Sequence, residues 1–251
     1  PVLIADPTLR RNPRRDARAM NTPPPERRVT AIVPMRHDSE RIPHKNFADF
    51  RGKPLFCHIL DALTEARGVA EVVVDTDSPR IMEECATRFP DARVLERPPE
   101  LRDGAIPMND VLMHTVDQLQ GEHFLQTHST NPLLRASTID RAIEAYFDAK
   151  PQHDSLFGVT RWQTRLYDAQ GRAINHDPAV LARTQDLPPV FEENSNLYIF
   201  SRAVLAEHHR RIGAAPALFE IDRLEATDID DMTGWRLAEA IAASGCLETS
   251  P

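Results

Sequence analysis

The sequence predicts an α/β protein built on a mostly parallel sheet with helices on both faces. Three observations carry that prediction. Short apolar, β-branched runs alternate with segments of helical period. Their spacing fits βαβ units, which place parallel strands under two helical layers. A length of 251 residues with 41% hydrophobic content suits one large domain. No run approaches the roughly 20 apolar residues of a membrane span.

Residues 29–33 form the first strand, ended by Pro34, and a polar loop fills 35–53. Over 54–66, Leu55, Ile59, Leu60 and Leu63 recur at helical spacing with a proline at the first turn. The run 71–74 is a strand leading into Asp75-Thr76-Asp77-Ser78. A helix over about 79–88, a strand at 93–95, a helix over about 107–119, a strand at 123–127 and a helix at 136–149 continue the alternation. After Lys150 the rhythm changes. A strand at 155–160 precedes a stretch, 161–187, with little helical period and a hairpin-like Asp168-Ala169-Gln170-Gly171. This is read as an excursion, a small subdomain or dimerisation flap. The core pattern resumes at 196–200, with a helix near 202–210 and a strand at 218–221. Asp228-Ile229-Asp230 and an amphipathic helix over about 232–243 follow. In such a sheet the ligand belongs in the crevice at the carboxyl ends of the strands.

The 30 Lys and Arg against 38 Asp and Glu give a net charge of −8, which argues against a general nucleic-acid binder. The charge is uneven: residues 1–28 hold seven Arg and three acids, leaving 23 basic and 35 acidic side chains, or −12, for the body. This basic, Pro-rich arm lacks an apolar core segment and an amphipathic repeat, so it is expected to be a disordered leader, with Met20 offering a native start. The nine glycines form neither G-x-G-x-x-G nor G-x-x-x-x-G-K-[ST], which excludes the two commonest glycine-loop phosphate cradles. Cys57, Cys85 and Cys246 are widely separated; that is no disulfide framework or zinc signature, and a reducing cytoplasm is the expected home. Cys57 and Cys85 are expected in the core. His128, His208 and His209 have no metal-ligand spacing and are expected on a loop or helix surface.

The loop after the first strand concentrates chemistry. Between Arg36 and Asn46 stand Arg36, Arg41 and Lys45 with Ser39 and Asn46. Arginine offers a two-pronged fork to phosphate oxygens and lysine a mobile point charge. Without a glycine nest, side chains must supply what backbone N–H groups supply elsewhere.

The string I-V-P-x-R-x-x-S-x-R-I-P-x-K-N, with Gly52-Lys53-Pro54-Leu55, resembles the opening signature of the CMP-sugar synthetases. These cytidylyltransferases activate sialic acids and related 2-keto sugar acids. The resemblance continues through VVVDTDS at 72–78, RPPEL at 97–101, FLQTHSTNPLLR at 124–135, NSNLYIF at 194–200 and the Asp228-Ile229-Asp230 triplet. It implies a three-layer, nucleotide-diphospho-sugar-transferase-like (Rossmann-like) fold over residues 29–251, with a dimerisation insertion at about 151–192 and a homodimeric assembly. It also implies transfer of CMP from CTP to an anomeric hydroxyl, with release of pyrophosphate. By the resemblance Arg36, Ser39 and Lys45 hold the triphosphate, Asn46 completes the loop and Arg97 lies near the cytosine. Gln126 and Arg183 meet the acceptor, and Asp228 and Asp230 bind Mg²⁺. Arg36, Lys45 and Asp230 are the expected catalytic residues. The D-x-D spacing agrees, since in an extended chain alternate carboxylates share one side and can hold one oxygen-loving cation.

The chain departs from the sialic branch at His37-Asp38-Ser39-Glu40, at the residues between Gln126 and Arg135, and at Gly104-Ala105-Ile106-Pro107-Met108-Asn109. These changes bear on the acceptor more than on the nucleotide. A shorter ulosonic acid or a phosphonate is the alternative acceptor. A catalytically silent nucleotide- or sugar-binding relative is the alternative of another class.

Overall fold

The computed structural model describes residues 22–37 and 42–249. Its centre is a seven-stranded sheet. Strand β1 (Val29–Met35) is flanked in parallel by β4 (Val69–Thr76) and β6 (His123–Thr127), and β5 (Arg93–Glu96) extends that side in parallel. On the other side lie β8 (Val190–Ser201), β7 (Ser155–Trp162) and β9 (Pro216–Glu220). Only β8 runs against the rest of this sheet. Strands β2 (Asp49–Phe50) and β3 (Lys53–Pro54) form a separate small hairpin. Its turn, Arg51-Gly52, has positive φ at both residues, the geometry whose twist suits a two-residue hairpin.

All seven residues of β1 are buried, as a central parallel strand covered on both faces requires. Its side chains alternate between the helical layers. Ala31, Val33 and Met35 join a core with α1 (Leu55–Glu65), α2 (Pro79–Arg88) and α4 (Ala136–Ala149). Ile32 joins a second core with α3 (Met108–Asp117) and α5 (Arg202–His208). A third cluster packs Phe50, Leu55 and Leu133 against Ile229 and α6 (Met232–Ser244). Cys57 and Cys85 are buried as expected, and burial pushes both thiols up to about 11.

Chain order and sheet order reveal the crevice. From β1 the chain builds outward through β4 and β5, then crosses back to place β6 on the opposite side of β1. That reversal is where open α/β sheets bind ligands. The pairing also parts there: β6 contacts β1 only over Thr30–Ile32. Pro34, which has no N–H to donate, therefore sits where β1 has no neighbour on that side.

Two expected boundaries shift. Residues 22–28 are not a loose arm: Pro25–Arg27 form a short 3₁₀ turn, and the Arg27 guanidinium bonds Asp148 and lies over the Phe147 ring. Residues 1–21 of that arm lie outside the described residues. The excursion is also narrower than 151–192, because both of its ends belong to strands. Beyond the reach of β6 and β9, β7 and β8 continue as a two-stranded ribbon that pairs Trp162 with Val190. The irregular part is 163–189, and the anticipated turn is present, with Gly171 N–H donating to the Asp168 carbonyl.

Candidate active site

A cleft of about 340 Å³ opens at the carboxyl ends of β1, β5 and β6. Arg36, Lys45, Asn46, Arg97, His128 and Asp230 are among its walls. The sequence-selected Arg36, Lys45, Asn46, Arg97 and Asp230 thus converge from four segments, whereas Gln126 and Arg183 are not among the walls; Asp228 faces an adjoining cavity, and Ser39 lies outside the described residues.

Asn46 acts as a clamp. Its amide donates to the Arg36 carbonyl (3.1 Å) and its side-chain oxygen accepts from Ser129 Oγ (2.7 Å). The exit of β1, the turn Lys45–Phe47 and the loop after β6 are thereby tied together. His37 fastens the same exit to the end of β4: its N–H donates to Asp77 (2.7 Å) and its Nδ1 lies 2.7 Å from Ser78 Oγ. Lys45 Nζ donates to the Ile229 carbonyl (2.7 Å), joining the cationic loop to the D-x-D segment.

Arg97 is almost completely buried. Its Nε donates to Asp75 Oδ1 (2.5 Å), and Thr115 Oγ1 donates to the other carboxylate oxygen (2.8 Å). A charge taken out of water needs such compensation. Sequence reasoning missed this partner, although an acid closing the apolar run of β4 was a usable signal.

The D-x-D segment is held on every side. Ile229 drives into the third core and leaves the two flanking aspartates at the cavity walls. Its N–H donates to the Thr130 carbonyl (2.9 Å). Asn131 Nδ2 and the Thr130 side chain bond Asp228. Gly234 lets helix α6 pass close: a Cβ there would lie 2.7 Å from the Asp228 carbonyl oxygen. Upstream, the buried Glu225 carboxylate accepts from the Arg135 backbone N–H (2.7 Å), the Arg135 guanidinium and Thr138 Oγ1 (3.0 Å). The acid upstream of the triplet, Glu225, is therefore structural.

Burial, aided by the charge of Asp230, raises the Asp228 carboxyl above its ordinary value. Two neighbouring carboxylates at the walls of one cavity are a donor set suited to a hard cation. Among the described residues no group of three or more His, Cys, Asp or Glu side chains could hold a metal. A pair suffices for Mg²⁺, which takes one or two carboxylates and fills its shell with water and phosphate oxygens. Asp230 also lines the second cavity, of about 830 Å³, together with Asp228, Thr160, Trp162, Asn194 and Arg223.

The acceptor assignments fare differently. Gln126 is fully buried at the end of β6. Its amide donates to the Thr127 carbonyl (3.0 Å) and lies 3.1 Å from His128 Nε2, while its oxygen accepts from Arg211. Arg183 stands exposed on the excursion, paired with Asp186 (2.7 Å), and lines neither cavity. Arg211, which sequence reasoning did not select, is the arginine beside Gln126. Its guanidinium lies over the Tyr198 ring, with the central carbon 3.5 Å from the centroid. Nothing in Arg210-Arg211 marks which of the two turns inward. His128, expected as a loop residue, lines the cleft, and its pKa falls to about 4 through burial and the nearby Arg211 charge.

The cytidylyltransferase family model matches residues 30–242, nearly the whole described body. The chain belongs to the cytidylyltransferase family. The protein is thus a nucleotidyltransferase, and the cleft is its candidate nucleotide site. Among curated cytidylyltransferases it is 29% identical over 200 residues to a 3-deoxy-manno-octulosonate cytidylyltransferase of Anaeromyxobacter sp. (strain Fw109-5), covering 76% of this chain and 69% of that protein. It is 24% identical over 221 residues to a pseudaminic acid cytidylyltransferase of Campylobacter jejuni, covering 84% and 94%. The fold matches that of a CMP:2-keto-3-deoxy-manno-octonic acid synthetase solved with CTP, at a TM-score of 0.64 and 17% identity over 86% of this chain and 99% of that one. The mostly parallel sheet with flanking helices is therefore the cytidylyltransferase fold that the sequence predicted. No helix among the described residues is long and apolar enough to cross a membrane.

Proposed function

We propose that this cytidylyltransferase transfers CMP from CTP to the anomeric hydroxyl of a 2-keto sugar acid and releases pyrophosphate. The observation that carries the reading is the position of Asp230, which lines both cavities. A phosphorus held in the first would meet there a hydroxyl arriving from outside it. The two curated relatives, named for an eight-carbon and a sialic-type sugar acid, support the acceptor class.

The hydroxyl oxygen bonds to the α-phosphorus as the bond to the β-phosphate oxygen breaks, in line, and the hydroxyl proton leaves to solvent. Arg36 and Lys45 sit where they can bind the β- and γ-phosphates and stabilise the charge that builds on departing pyrophosphate. Asp228 and Asp230 would hold Mg²⁺, which when bound supplies charge neutralisation to the phosphate oxygens. Asn46 keeps the cationic loop closed on the β6 loop, and Arg97, neutralised by Asp75, presents a fixed edge for the base. A homodimer is part of the reading. Leu181, Val180, Ile174 and Tyr167 on the excursion are all more than half exposed, a cost that a second copy would remove. Leu181→Glu then converts the dimer to monomer by light scattering.

The deciding experiment is pyrophosphate release from CTP and Mg²⁺ with a panel of 2-keto sugar acids. At least one acceptor turns over, and Asp230→Ala loses about 10²–10³-fold in kcat/KM with it. No release with any acceptor overturns the proposal.

A further inference from the structure

We propose that Arg211 is the residue that binds the acceptor's carboxylate, presented by Tyr198 and Gln126, in place of the exposed Arg183. The inference rests on the reading of the acceptor as a 2-keto sugar acid and assigns the group that recognises its acid.

Three features of Arg211 point to an anion receptor. The first is charge without a direct ion pair. Burial lowers its pKa against the opposing effect of Tyr198 and the Glu193 charge, and among the described residues no carboxylate pairs directly with its guanidinium. Arg97 and Arg135 show the alternative, each fixed on an acid of its own. A part-buried guanidinium without a direct acid partner is costly to the protein, and a ligand carboxylate lowers that cost.

The second feature is preorganisation. Stacking on Tyr198 fixes the guanidinium plane, and Gln126 takes one of its five donors through Nη1. The plane is held a second time through its platform, since Tyr198 Oη bonds Glu193 and lies 3.3 Å from Ser195 Oγ. The Arg211 backbone N–H donates to Asn109 Oδ1 (3.3 Å), next to Met108 of the cleft wall. A planar fork with donors to spare matches the two oxygens of a carboxylate.

The third feature is place. His128 lines the cleft together with Asp230, and its Nε2 lies 3.1 Å from the Gln126 amide whose oxygen accepts from Arg211. Arg211 is therefore linked through Gln126 to the wall that carries Asp230. In a 2-keto sugar acid the carboxylate is bonded directly to the anomeric carbon, so the attacking hydroxyl and the carboxylate must lie within a few ångströms of each other. A receptor for the acid next to Asp230 places the nucleophile at the α-phosphorus. Arg183, paired with Asp186, meets none of these conditions.

The test uses the full-length enzyme, the sugar acid that turns over best and its C1 carboxamide. Arg211→Met is expected to raise KM for the acid about 100-fold and Arg211→Lys about 10-fold, with KM for CTP within about twofold of the parent. The parent prefers acid over carboxamide by about 100-fold, and in Arg211→Met that preference collapses, which a merely structural role of Arg211 would not produce. Arg183→Met leaves KM for the acid unchanged. Retained preference for the acid in Arg211→Met, or its loss in Arg183→Met, overturns the assignment while the proposed reaction stands. Absence of turnover by the parent with every sugar acid overturns both. Should Arg211→Met fail to fold, Arg211→Lys decides: an unchanged acid-to-carboxamide ratio in that variant rejects the assignment.

Discussion

Arg97, buried in the wall of the cleft, and Arg211, half-buried against Gln126, carry their charge in opposite ways. Arg97 is matched inside the protein by Asp75, itself fixed by Thr115. Arg211 rests on an aromatic ring and an amide, neither of which carries a countercharge. The Asp228–Asp230 pair mirrors Arg211, with two negative groups close enough that one raises the pKa of the other. The contrast teaches where this enzyme expects charge from its ligands. The Arg97 side is already neutral and suits an uncharged base. The side of Arg211 and the two aspartates holds charges that a carboxylate and a metal–phosphate complex would neutralise.

The strongest way to break the comparison is to remove the internal partner. Asp75→Ala leaves Arg97 buried without its acid and is expected to cost about 3–5 kcal/mol of stability, read from urea unfolding. The double variant Asp75→Ala with Arg97→Leu regains most of that loss, since an apolar replacement of a whole buried pair is often neutral. Arg211→Met, which removes a charge with no direct ion pair, is expected to stay within about 1 kcal/mol of the parent. Equal losses for Asp75→Ala and Arg211→Met would erase the distinction between the two arginines.

A smaller effect separates the nucleotide loop from the rest of the surface charge. Lys45→Ala is expected to raise KM for CTP about 10- to 50-fold, in keeping with a lost charge-assisted contact to phosphate, and to abolish thermal stabilisation by CTP. Lys150→Ala, a cation over the Tyr146 ring and remote from the cleft, leaves both measurements unchanged. Because Lys45 Nζ also holds the Ile229 carbonyl, Lys45→Ala further weakens Mg²⁺ dependence. Lys45→Arg restores part of the CTP affinity.

The same contrast explains what was legible in the sequence. Elements whose period is set by their own burial were readable: the β6 strand and the α4 helix fall on the expected residues, 123–127 and 136–149. The nucleotide side was readable too, because Arg36, Lys45, Asn46 and Asp230 lie in short strings whose order follows strand ends. Arg211 was not, because its role comes from Tyr198 and Gln126, which precede it by 13 and 85 residues. Arg183 was selected through the resemblance alone, because a cation on an irregular stretch has no period to say which way it faces. Structural acids such as Glu225 looked like the functional ones, for burial alone separates them.

The last effect concerns His128, which stands between the two kinds of charge. Burial and the Arg211 cation hold its pKa near 4, against an ordinary 6.5. In the unfolded chain it takes a proton near pH 6.5, whereas the folded protein resists until about pH 4, so between those values the unfolded state binds more protons. The stabilisation from a neutral His128 is therefore complete above pH 6.5 and lost as pH falls towards 4. Between pH 7.5 and pH 5 the parent should lose about 2 kcal/mol more stability than His128→Gln, measured by urea unfolding. Identical pH dependence in the two proteins would mean that His128 is not held neutral by its surroundings. Catalysis gives the complementary reading, since an imidazole that stays neutral down to about pH 4 contributes no ionisation between pH 6 and 9. Over that range the kcat profiles of parent and His128→Gln should run parallel. An acid limb that disappears in His128→Gln would show instead that the imidazole gains its proton in the working range, and that Arg211 is already neutralised there.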